Sequence, residues 1–308
     1  MNQVNKEKRL KAFRIILIFW TLFIGLGAVL GSTCMEIDPT GKIMGMETLL
    51  PYFQVLPFAD ALFQNYIFPG IALLIINGLS NLTASIFLFL KKKTGYILGT
   101  VFGITLMMWI IIQFVIFPAN FMSTIYFIFG FLQMVSGICC LIFYRQTQFK
   151  FDIKDYPGIQ KESAVLVLYF SRMGYTKKVA YNAADLNKAP IEEITTDEKT
   201  SGTLGFWWSG RFGMHRWPMK TNKLTHDLSR YKKIIIVSPI WVFHISAPVR
   251  DIIQRNTKTL SEREVEFHLV HFMNFLFPCT RKEISRYLPG SKVISYRSHY
   301  GNIKKEDN

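Results

Sequence analysis

The sequence predicts two domains of different class: an all-α bundle of four transmembrane helices, followed by a three-layer α/β domain built on a parallel five-stranded sheet. Three observations carry this. Half of the 308 residues are hydrophobic, yet the formal net charge is +15, an unusual pairing for one soluble domain. The two characters occupy different halves: residues 1–144 hold 9 Lys and Arg against 5 Asp and Glu (+4), and residues 145–308 hold 27 against 16 (+11). The apolar residues form long unbroken runs before position 144, but short β-branched runs alternating with helical stretches after position 163. The first pattern is that of membrane helices and the second that of a doubly wound sheet.

Crossing a bilayer core takes roughly 20 apolar residues in a helix. Four stretches reach that length, 13–30, 67–90, 96–117 and 122–144, and among Asp, Glu, Lys and Arg only Arg14 falls within them, at the first boundary. The first stretch is too long for a signal-peptide core, and Leu30-Gly31-Ser32 leads into a loop rather than a mature domain. Lys6, Lys8, Arg9, Lys11 and Arg14 precede the first stretch, Lys91, Lys92 and Lys93 separate the second from the third, and Arg145 and Lys150 follow the fourth. Positive charge marks the cytoplasmic side, so the expectation is a multi-pass protein of the cell membrane with both termini inside. The 31–66 loop, with Glu36, Asp38, Glu47 and Asp60 against Lys42, and the uncharged Pro118-Ala119-Asn120-Phe121 connection then lie outside.

Asn77, Ser80, Asn81, Thr83, Gln113, Gln133 and Ser136 are among the polar side chains of these stretches. In hydrocarbon they seek partners on neighbouring helices, which makes them glue for the bundle or the lining of a quinone or small-solute pocket. Without a charged group at mid-membrane an ion pathway is unsupported. Gly78-Leu79-Ser80-Asn81 together with Gly103-Ile104, Trp109-Ile110 and Gln113 weakly resembles DoxX-like four-helix membrane proteins. Cys34, Cys139, Cys140 and Cys279 form no CxxC pair and have no histidine at metal spacing, so neither a disulfide framework nor a metal site is expected.

A polar linker is expected over 145–163. Residues 164–170, Ala-Val-Leu-Val-Leu-Tyr-Phe, then read as a strand buried on both faces. Ser171-Arg172-Met173-Gly174-Tyr175-Thr176 and a helix over 177–186 follow. A strand, a hydroxyl- and glycine-bearing turn and a helix start form an anion site, because the first-turn N–H groups are unpaired and the helix dipole is positive there. Further strands are expected at 191–195, 233–238, 266–273 and 292–296, with helices at 247–255 and 280–288. In such a sheet the ligand sits at the carboxyl ends of the strands, so the loops after the first and third strands face one ligand. The chain ends soon after the fifth strand without a convincing last helix, leaving a sheet face to lean on membrane or another subunit.

Two of these loops resemble a known family. Leu168-Tyr169-Phe170-Ser171-x-x-Gly174-x-Thr176 is similar to the flavodoxin phosphate loop, and residues 231–241, ending in Pro239-Ile240-Trp241 and followed by Ser246-Ala247-Pro248, resemble the flavodoxin third strand and flavin-flanking loop. The resemblance covers most of 164–298 and implies a flavodoxin-like domain, 164–308, that binds FMN. Carried over, Ser171, Gly174 and Thr176, with the amides of Arg172, Met173 and Tyr175, hold the phosphate. Trp241 stacks on the flavin ring, Pro239 and Ile240 shape its loop, and His244 stands near it. The family's glycine-rich loop after the fourth strand is replaced here by His271-Phe272-Met273-Asn274-Phe275-Leu276, which puts the ring site in doubt.

Flavodoxin electron carriers are acidic, whereas this half is +11. Basicity suits adhesion to an anionic leaflet; nucleic acid is excluded as a partner because no recognition element accompanies the charge. The segment 206–217, rich in Trp, Phe and Arg, suits a membrane interface, a lid or a docking surface. The function expected is a membrane-anchored FMN redox protein, serving a redox partner protein or, as an oxidoreductase, a quinone or other lipophilic substrate. The alternative is a non-catalytic flavodoxin-fold scaffold or sensor on the bundle.

Overall fold

In the computed structural model, residues 3–118, 120–273, 277–299 and 302–306 are described, and the chain divides into two units, residues 2–147 and 148–308.

In the first unit, four helical spans are long and apolar enough to cross a membrane. Helix α1 (Gln3–Ile37) starts ten residues before the apolar run, because Lys- and Arg-rich sequence continues a helix as readily as it flanks one. A 3₁₀ stretch (Glu47–Val55) and the short α2 (Ala59–Leu62) follow. The second span is α3 (Ile67–Leu73) and α4 (Ser80–Phe89), joined by a π-helical turn at Leu74–Leu79. Helices α5 (Lys93–Ile116) and α6 (Phe121–Gln148) complete the unit. Phe19, Phe23 and Leu26 of α1 are exposed, as lipid-facing side chains are.

Glycines let these helices approach closely. A Cβ on Gly103 would lie 2.6 Å from the Met134 backbone nitrogen, and one on Gly99 3.0 Å from Leu17. Gly95, Gly99 and Gly103 thus form a small-residue stripe on α5, the usual device for tight packing in lipid. The polar groups of the apolar helices are partly brought together: Gln133 Nε2 donates to Asn81 Oδ1 (2.8 Å) and to the Gly99 carbonyl (2.9 Å), and Ser85 donates to Thr21 (2.9 Å). Ser80, half-buried, and Thr83, exposed, donate to the Ile76 and Leu79 carbonyls of the π-helical turn before α4.

The second unit is a sheet with helices on both faces. Its strands are β1 (Val165–Tyr169), β2 (Ile191–Glu193), β3 (Lys233–Trp241), β4 (His244–Ile245), β5 (Glu264–His271), β6 (Lys292–His299) and β7 (Asn302–Glu306). Its helices are α7 (Tyr175–Leu186), α8 (Gly202–His215), α9 (Ala247–Arg255), α10 (Thr257–Ser261) and α11 (Phe277–Tyr287). The strand order is β2-β1-β3-β5-β6-β7. The five expected strands are all present and parallel. With β4 set aside they run 2-1-3-4-5, the flavodoxin-like doubly wound order, whose switch point lies between β1 and β3.

The expected sheet of exactly five parallel strands is corrected in two places. β7 adds an antiparallel edge to β6, and the two-residue β4 folds back on the end of β3. Asn302-Ile-Lys-Lys-Glu306 has no apolar run to betray a strand; it is a short, charged edge of the kind that discourages further pairing.

Alternate side chains of the strands feed two cores. Leu166, Leu168, Ile234, Ile236 and Phe267 pack with Ile252 and Ile253 of α9 and Ile284 of α11. Val167, Tyr169, Ile235 and Val237 pack with Val179, Ala180 and Ala183 of α7 on the other face. The segment read as a polar linker is in part packed structure: Phe151, Tyr156 and Tyr181 form an aromatic cluster, and the Gly158 amide donates to Asp185 Oδ1 (2.6 Å).

Candidate functional site

A cleft of about 390 Å³ opens at the carboxyl ends of the central strands. Four walls build it. After β1, the Ser171 hydroxyl accepts the Gly174 amide (3.1 Å) and so tightens the turn. Gly174 has φ +91°, where a side chain would be strained, and a Cβ there would also press on Phe149 at 3.3 Å. Helix α7 starts directly beyond, so its first unpaired amides stand at the cleft with Arg172, Met173, Tyr175 and Thr176 in the lining.

The second wall is the end of β3, Pro239, Ile240 and Trp241. Val242 (φ +45°) and Phe243 (φ +70°) reverse the chain so that His244 pairs with Trp241. Two positive φ values in a two-residue hairpin suit Asn-Gly; a β-branched Val and a Phe there store strain, of order 1–3 kcal/mol per residue. Trp241 meets Phe170 edge to face, ring centres 5.4 Å apart. Helix α8 supplies a third wall through Phe206, Ser209 and Gly210, and the strand ends Val270, His271 and Ser298, with Phe272, the fourth.

The cleft favours an anion. Arg172 is in its lining, its guanidinium 5.1 Å from the Phe206 ring centre and its Nη1 donating to the Gly202 carbonyl at 3.4 Å. Partial burial lowers the Arg172 pKa from its ordinary value, but an arginine remains charged. No carboxylate is among the described lining residues. Two hydroxyls in the lining, Ser209 Oγ and Ser298 Oγ, are buried without a hydrogen-bond partner among the described residues. Burying a hydroxyl so is costly.

Seven of the ten residues expected in the site line one cleft: Arg172, Met173, Tyr175, Thr176, Pro239, Ile240 and Trp241. Ser171 and Gly174 shape the turn behind it. His244 lies elsewhere, its Nδ1 3.0 Å from Glu283 Oε2 in a buried network. There Arg250, fully buried, donates from Nε to Glu283 Oε1 (2.7 Å) and from its other nitrogens to the Trp217 and Ile245 carbonyls (3.1 Å each). The histidine that does line the cleft is His271. Its Nε2 is 2.7 Å from Ser295 Oγ, and burial pulls its pKa below the ordinary histidine value. Of the atypical loop, Asn274, Phe275 and Leu276 lie outside the described residues. Among the described residues no group of three His, Cys, Asp or Glu is placed to hold a metal.

No family model matches the chain, and no curated protein matches it. Among solved structures, a flavoprotein from Lactobacillus acidophilus crystallised with FMN is 18% identical, over 42% of this chain and 89% of that one, with a TM-score of 0.37. Candidate flavoproteins from Bacteroides uniformis (19% identical, 45% and 94% covered, TM-score 0.38) and Bacteroides eggerthii (16%, 44% and 86%, 0.37) are similar to the same degree. The fold assignment rests on the strand order rather than on these likenesses. None of them supports the DoxX-like resemblance of the membrane half.

Proposed function

We propose that the second unit is an FMN-binding redox domain carried on a four-helix membrane domain, and that it passes electrons to a membrane-associated acceptor, as an oxidoreductase toward a quinone or another lipophilic substrate. One observation carries the reading: the Ser171–Thr176 turn, opening on the N-terminus of α7, shares a single cleft with Pro239, Ile240 and Trp241 at the switch point between β1 and β3.

The residues present suit that cofactor. The α7 amides and Arg172 match a phosphate dianion, the Trp241 and Phe206 faces match a flat conjugated ring, and the Ser209 and Ser298 hydroxyls match its polar edge. A bound flavin supplies reversible electron and hydride transfer. The protein's own part is to bind, orient and exclude water: Ser171 and Gly174 fix the shape of the turn, Arg172 offsets phosphate charge, and Trp241 and Phe272 wall the ring side from solvent. His271, held neutral at pH 7 by burial, fixes the far wall through Ser295.

The charge pattern supports a cytoplasmic position for both termini and this unit. Lys6, Lys8, Arg9 and Lys11 at the start of α1, Lys91 to Lys93 between α4 and α5, and Arg145 at the end of α6 fall on alternate connections, all on one side.

The test is flavin absorbance of the purified full chain, with and without added FMN, beside Trp241→Ala and Arg172→Glu. Yellow protein that loses its flavin in both variants, with unchanged circular dichroism, supports the reading. Colourless wild-type protein that takes up no FMN refutes it, and moves attention to a scaffold or sensor role for the α/β unit on the bundle.

A further inference from the structure

Helix α8 is inside out for a helix on a soluble domain. Its buried positions, Gly205, Ser209 and Gly213, recur every four residues and carry little side chain. Gly213 sits directly on the cleft hairpin, where a Cβ would lie 3.1 Å from Val242 Cγ2 and 3.2 Å from the Trp241 carbonyl. The large apolar side chains of the opposite face point away from it: Leu204, Trp207 and Met214 are 67, 70 and 63% exposed. A surface helix normally buries such residues, and a contiguous exposed group of them marks an interaction site.

Cations are interleaved with the rings. The Arg211 guanidinium lies 5.4 Å from the Trp208 ring centre and 5.5 Å from that of Trp217. From Lys199 to His226 the chain carries five Lys and Arg and no Asp or Glu. Immersed apolar rings edged by Arg and Lys are the composition of a segment lying in the headgroup layer, and the same chain carries four helices able to cross a bilayer. A second copy fits worse, because a two-fold contact sets a patch against itself and would oppose like charges.

We propose that the outer face of α8 docks in the plane of an anionic bilayer, with Leu204, Trp207 and Met214 immersed and Arg211, Arg216 and Lys220 against lipid phosphates. Because Phe206, Ser209 and Gly210 of the same helix wall the cleft, docking sets the cleft beside the lipid surface, where a lipid-borne molecule reaches it without crossing water. That last consequence rests on the redox reading; the docking does not.

The full chain in nanodiscs of phosphatidylcholine with phosphatidylglycerol, and the Trp207→Phe variant beside it, give the test. The wild-type minus variant difference isolates Trp207 emission, and position 207 is exposed enough for the substitution to leave the fold alone. The expected result is that lipids brominated in their acyl chains quench this difference at least about twofold while aqueous iodide leaves it unchanged, and that omitting phosphatidylglycerol weakens the bromolipid effect. Iodide quenching without bromolipid quenching shows a face in water and overturns the proposal. Protection from both quenchers shows a protein-covered face and overturns it equally. Flavin colour reports separately on the cleft, so the two readings fail independently.

Discussion

Glu283→Ala is expected to unfold the α/β unit well below the wild-type temperature and to loosen the cleft before it does so. Glu283 accepts Arg250 Nε at 2.7 Å, the Ile245 amide at 3.2 Å and His244 Nδ1 at 3.0 Å. Arg250 has no exposed surface, so truncating its partner strands a guanidinium in the interior. Breaking a buried ion pair from one side costs about 3–5 kcal/mol, and in a domain of this size each kcal/mol moves the midpoint by roughly 2–4 °C. A fall of roughly 6–20 °C follows, read by tryptophan fluorescence of the full chain in detergent. The same cluster anchors the β4 arm of the cleft hairpin through both backbone groups of Ile245, and the end of the α8 segment through the Trp217 carbonyl. FMN retention should therefore weaken already at temperatures where the variant is folded. The double replacement Arg250→Met with Glu283→Leu should recover much of the loss, because it removes both charges. A Glu283→Ala midpoint within the range of an exposed control such as Glu262→Ala would refute the reasoning.

Two further outcomes are expected. Gly103→Leu drives a side chain into the α6 backbone at Met134, so the bundle should lose at least about 1–3 kcal/mol in SDS titration, whereas Gly45→Leu, whose Cβ position has no neighbour within 4 Å, should cost far less despite its positive φ. Acid should weaken the α/β unit: burial lowers the pKa of His268 and of His271 below 6.5, so the unfolded state binds more protons as pH falls through 6.5, and stability drops with it. Glu266 adds to this at lower pH, since burial raises its pKa but the Lys233 and His268 hydrogen bonds outweigh that and leave it lowered. Thermal midpoints that stay flat between neutral pH and the carboxylate range would remove this account.

The strands were legible because β1, β3 and β5 are buried on both faces and spell continuous apolar runs, and the turn from β1 into α7 because Ser171, Gly174 and Thr176 are local in sequence. What stayed hidden is non-local or runs against propensity. Helix α8, with its glycines at 202, 205, 210 and 213 and its run of aromatics, scores poorly as a helix on its own and is held in place by packing on Trp241 and Val242. His244 stands three residues from Trp241, but the Val242-Phe243 reversal and Glu283, some forty residues on, decide where its ring goes. His271 and Ser298 reach the cleft from the ends of different strands, and no spacing announces their meeting. These exceptions share a location. The strained hairpin, the two serines without a partner among the described residues and the inverted helix all border one cleft, and none of them is what stability alone would select. Local rules broken together at one place, in a domain whose core otherwise obeys them, are the mark of a site shaped for what it binds, the pattern expected if, as proposed, a phosphate-bearing ring enters the cleft and a lipid surface covers its outer wall.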